Sequence, residues 1–268
     1  VTNDTNGIIE LKNEKTAGII ATKSSKVTNK GNITLTGPTV GITASGNGLV
    51  GVSLAGSELT NEGSITMNTA YSTGVYANDY VNGSTRTKSK VTNEKDILVK
   101  KEKSVGIYSV NGDVYNKAAN GKIETEEDSS VGIYAKLDKD AIANQTIENA
   151  KNITIGKSTA KSSVGIFSTI DAGATKSLNV TNDTTGVMTI DSKESAAIIM
   201  KGQLDNAVPP APPAPRGIVT NKGKINMNSE KSAAIIGERA KIVNDGTTPA
   251  EIIVNDKESA GIIASDKN

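Results

Sequence analysis

Leu59-Thr60-Asn61-Glu62-Gly63-Ser64-Ile65-Thr66-Met67, followed by Thr73-Gly74-Val75-Tyr76-Ala77, is one copy of a phrase that returns nine times along the 268 residues. Each copy has an aliphatic-x-Asn step, then a Gly-x-Ile-x-aliphatic step, then Val-Gly-Ile-Tyr or a relative of it. A repeat of short β-like segments at a roughly fixed period is the signature of a solenoid, in which each unit buries its apolar face on its neighbours. The motif asparagines are Asn3, Asn29, Asn61, Asn93, Asn116, Asn149, Asn182, Asn221 and Asn244, so the shortest coil is 23 residues. Three strands of about five residues and three bends fill that length. The fold class this predicts is all-β: a right-handed parallel β-helix of about nine coils, each adding about 4.8 Å, in a rod on the order of 40 Å long.

Laying the copies in register assigns roles to the columns. Asn suits a left-handed bend, and its amide both donates and accepts, so asparagines one coil apart should bond along the axis. In the third strand, a period of two points Ile19, Val52, Val75, Ile107, Ile133, Ile166, Ile198, Ile235 and Ile262 inward. The same period sends the preceding Gly18, Gly51, Gly74, Gly106, Gly132, Gly165, Ala197, Ala234 and Gly261 outward. The following Ile20, Ser53, Tyr76, Tyr108, Tyr134, Phe167, Ile199, Ile236 and Ile263 also face out. A trough of glycines beside an apolar ridge is therefore expected on one face. Coil two offers two third strands, Thr39–Thr43 and Leu49–Ser53, and the spacing to Asn61 favours the second.

Composition agrees with a thin rod. There is no Trp, one Phe and 35% hydrophobic residues, which suits a narrow core of Val, Ile, Leu and Ala. Thirty basic against 29 acidic side chains give a net charge of +1, without the basic excess that nucleic-acid binding calls for. With no Cys and no His, thiol nucleophiles, Cys or His zinc sites and His-based acid–base schemes are excluded. No apolar run reaches the ~18 residues of a spanning helix, so no direct membrane insertion of this segment is expected. A cysteine-free chain suits export, and its start in mid-pattern at Val1 reads as residues 1–268 being one segment of a longer solenoid.

The repeat is interrupted at about 78–90, 136–146, 169–177 and 201–217, always between the third strand and the next Asn, so these insertions should share one edge of the rod. Loops on a rigid scaffold are where binding usually resides. The last insertion contains Val208-Pro209-Pro210-Ala211-Pro212-Pro213-Ala214-Pro215-Arg216, whose five prolines in residues 209–215 suit an extended polyproline II stretch. Candidate partner-binding residues are Tyr76, Tyr108, Tyr134 and Phe167 on the ridge, and Asp79, Tyr80, Arg86, Gln203, Asp205, Pro210, Pro213 and Arg216 in the insertions. No catalytic residue, metal ligand or cofactor is expected: paired carboxylates spaced for glycoside hydrolysis do not recur at one strand position, and the acids of Glu124–Asp128 read as a solvated turn.

The phrases Val27-Thr28-Asn29-Lys30-Gly31-Asn32-Ile33-Thr34-Leu35, Leu59–Met67 and Ser130-Val131-Gly132-Ile133-Tyr134-Ala135 resemble the repeats of passenger domains in large type V autotransporter adhesins, in particular the fusobacterial outer-membrane adhesins. The 27 Lys against 3 Arg fit an AT-rich genome. The resemblance implies an extracellular rod on a bacterial surface, anchored in the outer membrane through a C-terminal translocator absent from these residues and continued by passenger at both ends. It implies a non-enzymatic adhesin segment whose partner is a host cell-surface receptor or glycan, or the surface of another bacterium. Alternatives are a stalk that spaces a distal binding tip from the cell, and a polysaccharide-active enzyme.

Overall fold

The computed structural model describes residues 1–37, 48–117, 121–203, 216–245 and 250–265. Three sheets of nine strands each form the three walls of a parallel β-helix. One coil runs through Lys90–Asn93 in the first sheet, Ile97–Val99 in the second and Val105–Val110 in the third. Its strands pair in parallel with the coils on either side, Asn93 between Asn61 and Asn116, and Ile107 between Val75 and Ile133. Among the described residues there is no helix, and the one antiparallel element is a hairpin of Tyr80–Asn82 with Thr85–Thr87.

The core is a set of axial columns. Val27, Leu59, Val91, Val114, Ile147, Val180 and Val219 come from the first sheet, and Ile33, Ile65, Ile97, Ile123, Ile153, Met188 and Ile225 from the second; all are buried. The third sheet adds the expected column from Ile19 to Ile235, also buried, while Ile262 in the last coil is 45% exposed because no described coil covers it. The asparagine ladder is present in full: each Nδ2 donates to the Oδ1 of the next coil's Asn at 2.7–2.9 Å from Asn3 through Asn244. A buried amide with no partner would cost about 1–3 kcal/mol, so the ladder lets a polar column run inside an apolar tube.

Two expectations are corrected. The ladder asparagines close the first-sheet strands and are not left-handed. The left-handed bend instead recurs two residues before the third strand, at Lys15, Tyr71, Lys103, Ser129, Ser162, Glu194, Lys231 and Glu258. The residue after this bend forms a second polar column. Ser72 N–H donates to Ser104 Oγ at 3.1 Å, Ser130 to Ser163, Ser163 to Ser195, Ser195 to Ser232 and Ser232 to Ser259. Next, the third-strand glycines do not form an outer trough. Gly51, Gly74, Gly106, Gly132 and Gly165 are buried, and a Cβ on Gly106 would lie 2.6 Å from Gly132 O and 3.2 Å from Ile97 Cγ2. Within each of these strands the pairing skips the glycine, and the glycine and the following Ile or Val are both buried, so two consecutive residues face inward and the period of two is broken there.

The four insertions all leave from the corner between the third sheet and the first. In coil two the third strand is Val50–Ala55, as the spacing required, while Thr39–Thr43 lies outside the described residues. The connection from Leu35 to Val50 leaves from the other end of the third sheet, so the extra length of that coil does not share the edge of the other four.

Candidate functional site: an axial groove on the third sheet

Outward-facing positions of the third sheet build a groove parallel to the rod axis. Its floor is the first residue of each strand: Val50, Thr73, Val105, Val131, Val164, Ala196, Ala233 and Ala260. One wall is the row of left-handed bend residues, and the other is the apolar ridge three residues further along each strand. The trough is therefore real, but it is floored by the residue before the glycine.

In coils two to five the groove deepens into a concavity of about 730 Å³ lined by Tyr71, Tyr76, Lys103, Tyr108, Ser129 and Tyr134 over Val50, Thr73 and Val105. Ridge rings stack coil upon coil. Their centroids are 5.5 Å apart for Tyr76–Tyr108, 4.8 Å for Tyr108–Tyr134 and 5.2 Å for Tyr134–Phe167, in tilted and edge-on pairs. Each such pair is worth about 0.5–1.5 kcal/mol beyond its area. The inner rings are covered by their neighbours above and below, so the ridge presents ring edges and phenol groups to the groove. Burial, more than any neighbouring charge, pushes the Tyr108 phenol up from its ordinary value. On the opposite wall, Lys103 Nζ donates to Tyr71 Oη of the preceding coil at 3.0 Å and lies 5.2 Å from that ring's centre. That hydrogen bond, helped by the Glu102 carboxylate, raises the Lys103 pKa, so the groove keeps its cation at neutral pH.

The chain matches no protein-family model, no curated protein and no solved structure. The site is therefore read from its own chemistry.

The insertions behave differently from free binding loops. Arg86 in the hairpin holds Asp79 (Nη1–Oδ2 2.7 Å), which raises its pKa, and approaches Asp140 of the 136–146 insertion at 3.6 Å. Lys88 bonds Asp113 at 2.6 Å and also the carbonyl of Asn144. Lys136 Nζ meets Asp171 Oδ2 at 2.9 Å, which ties the next two insertions together and raises the Lys136 pKa. Gln203 Nε2 donates to Ile170 O at 3.3 Å, and Arg216 donates from its backbone to Gln203 O and from Nη1 to Thr175 O. Tyr80 lies under Lys23, 5.9 Å from Nζ to ring centre. The insertions thus brace one another along the corner.

Of the sequence candidates, Tyr76, Tyr108, Tyr134 and Phe167 share the ridge. Asp79, Tyr80, Arg86, Gln203 and Arg216 lie along the braced corner, and Asp205, Pro210 and Pro213 lie outside the described residues. Sequence reasoning missed the opposite wall. Tyr71, Lys103 and Ser129 each sit five residues before a ridge tyrosine, a spacing visible in the repeat once the bend is known to precede the serine column. Among the described residues no cluster of three or more acidic side chains is placed to hold a metal ion.

Proposed function

We propose that this chain is a non-enzymatic recognition segment of a surface-displayed rod, an adhesin segment, and that it meets its partner through the aromatic groove of coils two to five. The observation that carries this is the concavity of about 730 Å³ walled by four tyrosines and a protonated lysine. Contiguous exposed apolar surface on a rod is a recognition signal, and Tyr offers apolar area and a polar tip at low entropic cost. A protein loop or glycan chain lying along the axis would meet ring edges, phenol hydroxyls and one ammonium. The repeat phrases' resemblance to autotransporter passengers supports the same reading: extracellular display on a bacterial cell, with anchoring supplied by other parts of the protein and a host or bacterial surface as partner.

The test is binding of the purified chain to host and bacterial cells, wild type against Tyr108→Ala/Tyr134→Ala, with the β-type circular dichroism as control. The expected result is a marked loss of cell binding with the fold retained; full binding by a folded double variant overturns the groove assignment. An inert spacer is the second reading, favoured by the mutual bracing of the insertions, and it requires that the wild-type chain bind no cell at all. A polysaccharide-active enzyme would instead release reducing ends from a glycan panel.

A further inference from the structure

The far half of the same face differs from the tyrosine half. In coils seven to nine the ridge is Ile199, Ile236 and Ile263 and the floor is Ala196, Ala233 and Ala260, around a smaller hollow of about 280 Å³ whose floor is recessed, Ala196 and Ala233 being only 2% and 4% exposed. Ile199 and Ile236 are half-buried, Ile263 is exposed because no described coil covers the last one, and nothing described packs on this strip. Its borders carry charge in a pattern. Glu194 lines the groove wall of coil seven, and Lys201 stands at the far end of the same strand. In coil eight the signs are exchanged, with Lys231 on the wall and Glu238 at the far end. Lys201 pairs in register with Glu238, so the four residues mark the corners of a checkerboard.

We propose that this strip docks a second copy of the chain, side by side and parallel, about a twofold axis that runs along the rod. That operation reverses the strand direction of the partner and keeps each coil opposite its own counterpart. The isoleucine ridge of one copy then enters the alanine-floored groove of the other, and the reverse contact is identical, as an isologous interface requires. Glu194 faces Lys201 of the second copy, and Lys231 faces its Glu238. A slip of one coil sets Glu194 against Glu238 and Lys231 against Lys201, two like-charge contacts that penalise the wrong register. An antiparallel pair about an axis along the strands sets ridge on ridge and leaves the two grooves facing each other empty, with the loss of packing that unfilled space brings.

The present partners of these charges leave them free to take part. Lys231 lies 3.9 Å from Glu258 with both side chains more than half exposed, and Glu238 lies 3.5 Å from Arg239. Lys201 is exposed, its ammonium 5.7 Å from the centre of the Phe167 ring. Alanine floors permit closer approach in coils seven to nine than the valines, threonine and tyrosines of coils two to five. The two rods therefore splay toward the tyrosine groove and leave it open, and the pairing stands independently of what that groove binds.

The experiment is sedimentation equilibrium of the full chain over a concentration series at low salt. Wild type is expected to dimerise and Ile236→Asp to remain monomeric. Glu194→Lys and Lys201→Glu should each raise the dimer dissociation constant by about tenfold, because each turns two symmetry-related attractions into repulsions. The combined Glu194→Lys/Lys201→Glu variant should return to within about twofold of wild type, since the pairing is restored with its signs exchanged. A wild type monomeric throughout overturns the proposal, and if Ile236→Asp then loses cell binding, the strip serves a different protein. A combined variant no better than the single ones also overturns it. In an antiparallel pair the reversed charge at position 194 would meet Lys231, and the reversed charge at position 201 would meet Glu238, like sign on like sign.

Discussion

Replacing Asn116 with Val cuts the asparagine ladder at its middle. Asn116 accepts from Asn93 at 2.9 Å and donates to Asn149 at 2.8 Å, and all three side chains are fully buried. The substitution strands a donor on Asn93 and leaves Asn149 Oδ1 with only a long 3.4 Å bond from Lys151 N–H, each costing up to about 1–3 kcal/mol. Burial of the valine methyls offsets about 1–2 kcal/mol of that, so the expected net loss is about 1–4 kcal/mol. The sharper test is the neighbouring double variant. Asn116→Val/Asn149→Val still strands only two ladder groups, the donor of Asn93 and the acceptor of Asn182, at the further loss of the long Lys151 N–H bond, while the second valine adds apolar burial. Its loss should therefore not exceed that of the single variant, whereas independent sites would double it, to about 2–8 kcal/mol. Urea unfolding followed by far-ultraviolet circular dichroism measures both. Additive losses, or an Asn116→Val variant within about 0.5 kcal/mol of wild type, would refute the ladder as a coupled, buried system.

Other consequences follow from the same contacts. Tyr134→Ala removes the ring between Tyr108 and Phe167 and should cost about 3–5 kcal/mol at most, less where the site stays open to solvent, as read by thermal unfolding. Arg86→Ala leaves Asp79, whose side chain is only 6% exposed, without its ion pair; proteolysis should speed up within residues 78–90 while the rod's unfolding midpoint barely moves. Burial raises the Tyr108 pKa, so its contribution to stability is fully present below the unfolded tyrosine pKa and fades as pH rises through the folded value. Burial raises the Tyr115 pKa as well, so a phenolate titration at alkaline pH should show late tyrosines in the wild type and one fewer of them in Tyr108→Phe. Gly132→Ala puts a Cβ 2.7 Å from Gly165 O and should destabilise by about 1–3 kcal/mol, where an outward glycine would tolerate the change.

The columns with a strict period were legible in the sequence: the Ile and Val of the third strand and the Asn ladder recur at one place in every copy, and only a solenoid brings them together. What failed was local. A period of two fails inside the third strand, where the pairing skips the glycine, so Gly106 and Ile107 both face inward although strict alternation would separate them. The bend escaped notice because it is taken by Lys15, Tyr71, Lys103 and Ser129, which share no glycine or asparagine signature. The ridge tyrosines of the groove were legible, but the wall of Tyr71 and Lys103 depends on that bend. The bracing of the insertions was invisible because Arg86 and Asp140, or Lys136 and Asp171, come from different coils, and only the completed stack makes them neighbours.

The groove assignment is tested most directly by a photo-crosslinking amino acid placed at Tyr76 in the groove or at Tyr115 on the outer face of the first sheet, with irradiation of the folded chain on intact host and bacterial cells. Covalent capture of cell-surface material from position 76 and none from position 115 is the predicted result. Equal capture at the two positions, or capture from position 115 alone, would contradict the groove as the recognition face.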